Sequence, residues 1–98
     1  MNEKKLEKVL AITLGDVYNI KNLMLDLDEQ EITFVVFAPL SDYDRKAIKE
    51  IVKDVFQKFG KKIDDIYIDE TFIGKGYNFL EIKFYFWFTF FKKYIIII

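Results

Sequence analysis

The sequence predicts an α+β domain: two helices packed on one face of a mainly antiparallel sheet of four to five strands, in the order α-β-β-α-β-β. Three observations predict it. Apolar residues recur at helical spacing in two stretches, one near the start and one in the middle. Between and after them the apolar period drops to two, as a half-buried strand requires. No linker, repeat or low-complexity segment interrupts the 98 residues, so residues 1–98 read as one domain.

The first helix is read over residues 3–14. Leu6, Val9, Leu10, Thr13, Leu14 and Val17 form its apolar stripe, and Gly15 suits the position after a helix end. In "IKNLMLDLDEQEITFVVFA", Leu23, Leu25 and Leu27 share one face, and Ile32, Phe34, Val36 and Ala38 share the next. A tight turn at Glu29-Gln30, or a four-residue loop around it, pairs Leu27 with Ile32 and Leu25 with Phe34. Pro39 closes that strand. Ser41 followed by Asp44 is a capping box, with Asp a weaker partner than Glu. Ala47, Ile48, Ile51, Val52, Val55, Phe56 and Phe59 then line one side of the second helix, which Gly60 stops.

"IDDIYIDETFI" and "YNFLEIKFYFWFTFF" are two long strands joined at Gly74-Lys75-Gly76. With a three-residue loop and Gly76 left-handed, Ile73 faces Tyr77, Asp69 faces Glu81 and Tyr67 faces Lys83. Two coherent faces result. Ile66, Ile68 and Phe72 join Leu80, Ile82, Phe84, Phe86, Phe88 and Phe90 toward the helices, while Asp65, Tyr67, Asp69 and Thr71 join Tyr77, Phe79, Glu81, Lys83, Tyr85 and Trp87 opposite. Only Glu70 falls on the apolar side, near its edge. A one-residue slip mixes the faces, which favours this register.

Composition removes several chemistries. Without cysteine there are no disulfides, thiolate metal sites or cysteine nucleophiles. Without histidine, hydroxyl activation by imidazole is excluded as well. The cysteine count fits a reducing, cytoplasmic setting. A net charge of −1 provides no general attraction to a polyanion. The opening residues lack the apolar run of a signal peptide. In "FYFWFTFFKKYIIII", Lys92 and Lys93 keep each apolar run well below the ~18–20 residues of a spanning helix. A buried or paired strand is expected there, with a peripheral membrane contact as the alternative.

Two charged constellations invite a functional reading. Asp69, Glu81 and Lys83 resemble the Asp…Glu-x-Lys hairpin of PD-(D/E)xK nucleases, in which two carboxylates hold magnesium and a lysine stabilises phosphate charge. The simpler account is an exposed cluster that Lys83 already neutralises, and no cofactor or metal is expected. The acids of residues 64–70 lack calcium-loop spacing, and "GKG" lacks the strand-to-helix setting of a phosphate loop. Between Arg45 and Lys62, seven bases face two acids, which makes Arg45, Lys46, Lys49 and Lys53 candidate phosphate contacts. A solvated, dipolar helix face is the simpler account of them.

The other sheet face is more informative. Tyr67, Tyr77, Phe79, Tyr85 and Trp87 recur at period two on the side that the helices leave uncovered, and large aromatic patches of this kind mark interfaces. Homodimerisation through this face or the last strand's edge, or cover by "KKYIIII", is the expectation. The stretches "MNEKKLEKVL", "YIDETF" and "FLEIKFYFWF" resemble a family of small anti-CRISPR proteins of archaeal viruses, the inhibitors of type I-D interference complexes. The resemblance covers the two ends, about half the chain; the middle does not match, and the GKG turn is shorter than its counterpart. It implies a non-enzymatic homodimer that acts in the host cytoplasm by binding the large subunit of a CRISPR effector. A second resemblance is topological: "IKEIVKDVFQKFGKKIDDIYI" suits the ring-building modules of sporulation and secretion systems. The expected function is therefore a small protein-interaction module and viral inhibitor. Magnesium-dependent nuclease, nucleic-acid binder through the second helix and ring-building oligomer are the alternatives.

Overall fold

A computed structural model describes residues 2–37 and 39–86 of the protein. Its elements are α1 (Glu3–Gly15), β1 (Ile20–Asp26), β2 (Glu31–Phe37), α2 (Asp42–Lys58), β3 (Ile63–Gly74) and β4 (Tyr77–Phe86). The strands form one antiparallel sheet of order β1-β2-β4-β3, so the element order α-β-β-α-β-β is observed and the sheet has four strands among the described residues. Both helices lie on one face. Leu6, Leu10 and Leu14 of α1 and Ile48, Val52 and Phe56 of α2 are fully buried against Ile32, Phe34, Val36, Leu80, Ile82 and Phe84. Each such side chain contributes roughly 1.5–3 kcal/mol through burial. No helix among the described residues is long and apolar enough to cross a membrane.

Helix ends follow local chemistry, with one exception. The Asn2 side chain accepts from the Lys5 N–H to start α1. Gly15 does not take the left-handed turn expected of it: the helix runs through it, and Asp16 and Tyr18 donate back to Ile12 and Leu14 at 3.0 and 2.8 Å. Val17, expected in the buried stripe, is 61% exposed because it lies beyond this end. At α2 the capping box is complete. Ser41 Oγ accepts from Asp44 N–H at 3.1 Å, and Asp44 accepts from Ser41 N–H at 2.8 Å. Gly60, at φ +80°, ends α2 with Lys61 N–H reaching back to Phe56 C=O, a Schellman closure.

The Ser41 bonds, joined by the Tyr18 hydroxyl, hold the Asp44 carboxyl below its ordinary value of 3.8. A depressed carboxylate stabilises the fold above that value, and the contribution disappears as pH falls through the lower folded value. Ser41→Ala is expected to cost about 1 kcal/mol. Urea melts should show that loss near neutral pH and a smaller one in acid; equal losses would mean that the cap is not ionic.

The β3–β4 register matches the sequence expectation from Asp65–Tyr85 to Phe72–Asn78, with Asp69 opposite Glu81 and Tyr67 opposite Lys83. Nearer the turn it differs. Gly74 rather than Ile73 faces Tyr77, because Gly74 sits at φ +103° in a bulge and Lys75 and Gly76, at φ +55° and +82°, make a two-residue turn. The first hairpin is corrected by two residues. Leu25 pairs with Ile32, and Asp26 with Glu31. Asp26 Oδ1 accepts from Glu29 N–H, and Gln30 takes φ +54°, which closes a loop over 27–30 instead of at Glu29-Gln30. A shift of two preserves the faces, so Leu25 still enters the core.

Candidate protein-interaction face

The sheet face opposite the helices is built in rows. Lys21, Val35, Phe79 and Thr71 form one row across β1, β2, β4 and β3, and Met24, Thr33, Glu81 and Asp69 form the next. Asp26, Glu31, Lys83 and Tyr67 form the third. Phe37 beside Tyr77 closes one end, with ring centroids 5.2 Å apart and edge-to-face. Tyr85 beside Asp65 closes the other, its ring 6.2 Å from that of Tyr67. Each strand of the core contributes to this face by alternation alone: the residues between the buried ones must point away.

Of the aromatic residues expected here, Tyr67 is 57% exposed, Tyr85 is exposed, and Tyr77 and Phe79 are half-buried by their neighbours. Trp87 lies outside the described residues, as do Phe88, Phe90, Ala38 and the terminal isoleucines. The sequence reading missed Met24, Val35 and Phe37, of which Met24 and Phe37 are exposed. Their alternation was visible; that β2 lies beside β4 was not. Lys21 Nζ sits 5.1 Å from the centre of the Tyr77 ring, a cation–π contact at the apolar end.

The polar end gathers carboxylates. Asp69 and Glu81 face each other directly, and Lys83 faces Glu31 on one side and Tyr67 on the other. Glu31 and Glu81 are diagonal neighbours on β2 and β4, so each carboxyl bears on the other's protonation. The neighbouring Glu81 carboxyl, followed by partial desolvation, raises the Glu31 carboxyl above its ordinary value of 4.5, although Lys83 pulls it down. A raised carboxyl stabilises the folded state below the ordinary value, and that contribution is lost as pH rises through the folded one. Glu31→Gln, which keeps a donor toward Glu81, is expected to stabilise the protein by about 0.5 kcal/mol near neutral pH and to be neutral in acid. Denaturant midpoints against pH check this, and a constant offset would mean that the two carboxyls do not interact. Among the described residues no three carboxylates converge closely enough to hold a metal ion.

The basic side of α2 is only partly free. Arg45 is tied to Asp42 at 2.8 Å and to Glu70 on β3, while Asn78 donates to Glu70 at 3.2 Å. This explains why Glu70 can stand on the apolar side of its strand. Lys46 is exposed, and Lys49 and Lys53 are half-buried along the helix. Glu3 and Glu7 turn away from the carboxylate rows: they accept the backbone N–H groups of Leu27 and Leu25 at 2.7 and 2.9 Å, along the outer edge of β1.

No model of a known protein family matches the chain, and no curated protein matches it.

Proposed function

We propose that the protein is a non-enzymatic interaction module that assembles as a homodimer through the open face of its sheet and, in that form, binds a protein partner. The observation that carries this reading is the aromatic set Phe37, Tyr77, Phe79, Tyr67 and Tyr85, spread across three strands on a face that no described helix covers. Aromatic side chains provide large contact area at small entropic cost, and a sheet holds them in fixed rows. The carboxylates and Lys83 lie between Phe79 and Tyr85 and give the face a polar strip within its aromatic set. The anti-CRISPR resemblance supports a host effector subunit as the partner and inhibition as the outcome.

The test is sedimentation of the full chain beside Val35→Glu/Phe79→Asp, with purified type I-D large subunit as the offered partner. A dimer that binds the subunit, with both properties weakened about a hundredfold by the double variant, is the expected result. A variant that dimerises and binds as the parent does would overturn the reading. Magnesium-dependent cleavage of nucleic acid, lost in Glu81→Ala, would replace it with the nuclease alternative.

A further inference from the structure

The sheet has two edges, and the fold treats them differently. At β1 the edge is guarded: α1 lays Glu7 and Glu3 against it, and their carboxylates take the N–H groups of Leu25 and Leu27. A register shift between Lys21 and Met24, with Asn22 at φ +58°, further breaks its line. These are the usual devices that keep a strand from recruiting another. At β3 the register shifts only near the two ends, between Ile63 and Asp65 and between Phe72 and Gly74, and among the described residues no helix carboxylate takes its outer N–H groups. The strand is twelve residues long, and its pairing with β4 is unbroken from Asp65 to Phe72. It carries no proline and no lysine, and no described strand covers its outer side.

Its side chains define what fits. Asp65, Tyr67 and Asp69 point to the open face, and Ile66, Ile68 and Phe72 to the helix side. Four acids and no base lie on the strand, and Glu70 alone is neutralised by Arg45. Phe72 is 70% exposed beside Pro39 and Leu40, beyond the cover of the helices. Two copies of β3 paired about a two-fold axis at Tyr67 would set Asp65 against Asp69 twice, and like charges directly opposite are unfavourable.

We propose that the outer edge of β3 takes an extended segment of a partner protein as an added strand, with basic residues on the open side and apolar ones on the helix side. Asp65 and Asp69 stand four residues apart, roughly 13 Å, so the matching bases are four residues apart with one position between them opposite Tyr67. The apolar residues between them stand opposite Ile66 and Ile68, and a further one beyond the second base reaches toward the exposed Phe72. Backbone hydrogen bonds supply affinity, and the alternation supplies selectivity. It shares Asp65, Tyr67 and Asp69 with the open face but is held by the backbone of the β3 edge, which the aromatic rows do not use, so backbone methylation of the peptide tells the two apart.

The experiment titrates the full chain with a labelled nonapeptide of alternating lysine and valine, read by fluorescence anisotropy and by amide exchange. Expected are slowed exchange at alternate residues of Asp64–Phe72, and binding about tenfold weaker for the fully N-methylated peptide and for Asp65→Lys/Asp69→Lys. Asp65→Asn/Asp69→Asn, which changes charge but hardly shape, should weaken binding in the same direction, while Tyr85→Ser leaves it unchanged. Several results overturn the proposal: equal binding of the methylated peptide, protection confined to β4, or no binding up to about 1 mM. If Lys92→Glu/Lys93→Glu is needed before the peptide binds, the occupant is the chain's own C-terminal segment. If β3 is already protected in a dimer without peptide, the occupant is a second copy.

Discussion

Phe84→Ala is expected to lower the stability of the fold by about 3–5 kcal/mol, the largest loss of any single change considered. Phe84 is fully buried on β4, with strands on both sides, and its ring lies 4.8 Å from Phe56 and 5.5 Å from Phe86. Neither neighbour can collapse into the vacated space. Phe56 is fixed by the helix and Phe86 by its strand, so the cavity term adds to the lost transfer free energy. A domain of this size has roughly 5–10 kcal/mol in hand, and the variant should be partly unfolded at modest urea. Phe72→Ala is the control. Phe72 is exposed, and its loss should change stability by less than about 0.5 kcal/mol. Similar urea midpoints for the two variants would contradict the packing described.

Arg45→Leu is expected to cost about 1–3 kcal/mol, and the cost arises at Glu70 rather than at the arginine. The Glu70 side chain is 20% exposed on the helix side of β3, with Arg45 and Asn78 as its hydrogen-bond partners. Removing the guanidinium leaves a half-desolvated carboxylate with only the Asn78 amide. Arg45 itself is 36% exposed, which places the cost nearer the lower end of that range. Adding Glu70→Leu should recover most of the loss, since two apolar residues meet there without an unpaired charge. A double-mutant cycle by chemical denaturation decides: additive single effects would mean that the pair is not coupled.

These two residues also mark what a sequence can and cannot disclose. Phe84 was placed in the core by alternation, because the polar and apolar sides of "IYIDETFI" and "NFLEIKFYF" align in one register only. Ser41, Asp44 and Gly60 were legible for a different reason: caps act within a few residues of themselves. The β1–β2 register was misread since Leu23, Leu25 and Leu27 keep their face under any two-residue shift, and only the Asp26–Glu29 bond and the left-handed Gln30 choose among shifts. Strand order was hidden too. Alternation assigns a face and names no neighbour, so Met24, Val35 and Phe37 could not be joined to Tyr77 and Phe79. Phe72 was read as core because nothing in its own stretch says where the helices stop. Arg45 was counted among free bases, although Glu70, 25 residues away, holds it.

The position of β4 has a consequence for how the chain reaches this state. β4 is the last described strand in sequence, yet it lies inside the sheet, between β2 and β3. Until it is synthesised, β1 and β2 form a two-stranded hairpin, and such hairpins are marginal on their own in water. Phe34 and the leucines of α1 then have no Leu80, Ile82 or Phe84 to pack against. Pairing Glu31 with Lys83 closes a loop of some fifty residues, a non-local step that slows folding. The nascent chain therefore carries its apolar segments unburied until nearly all of the described residues have left the ribosome, and the sheet assembles late and cooperatively around β4, its last described strand.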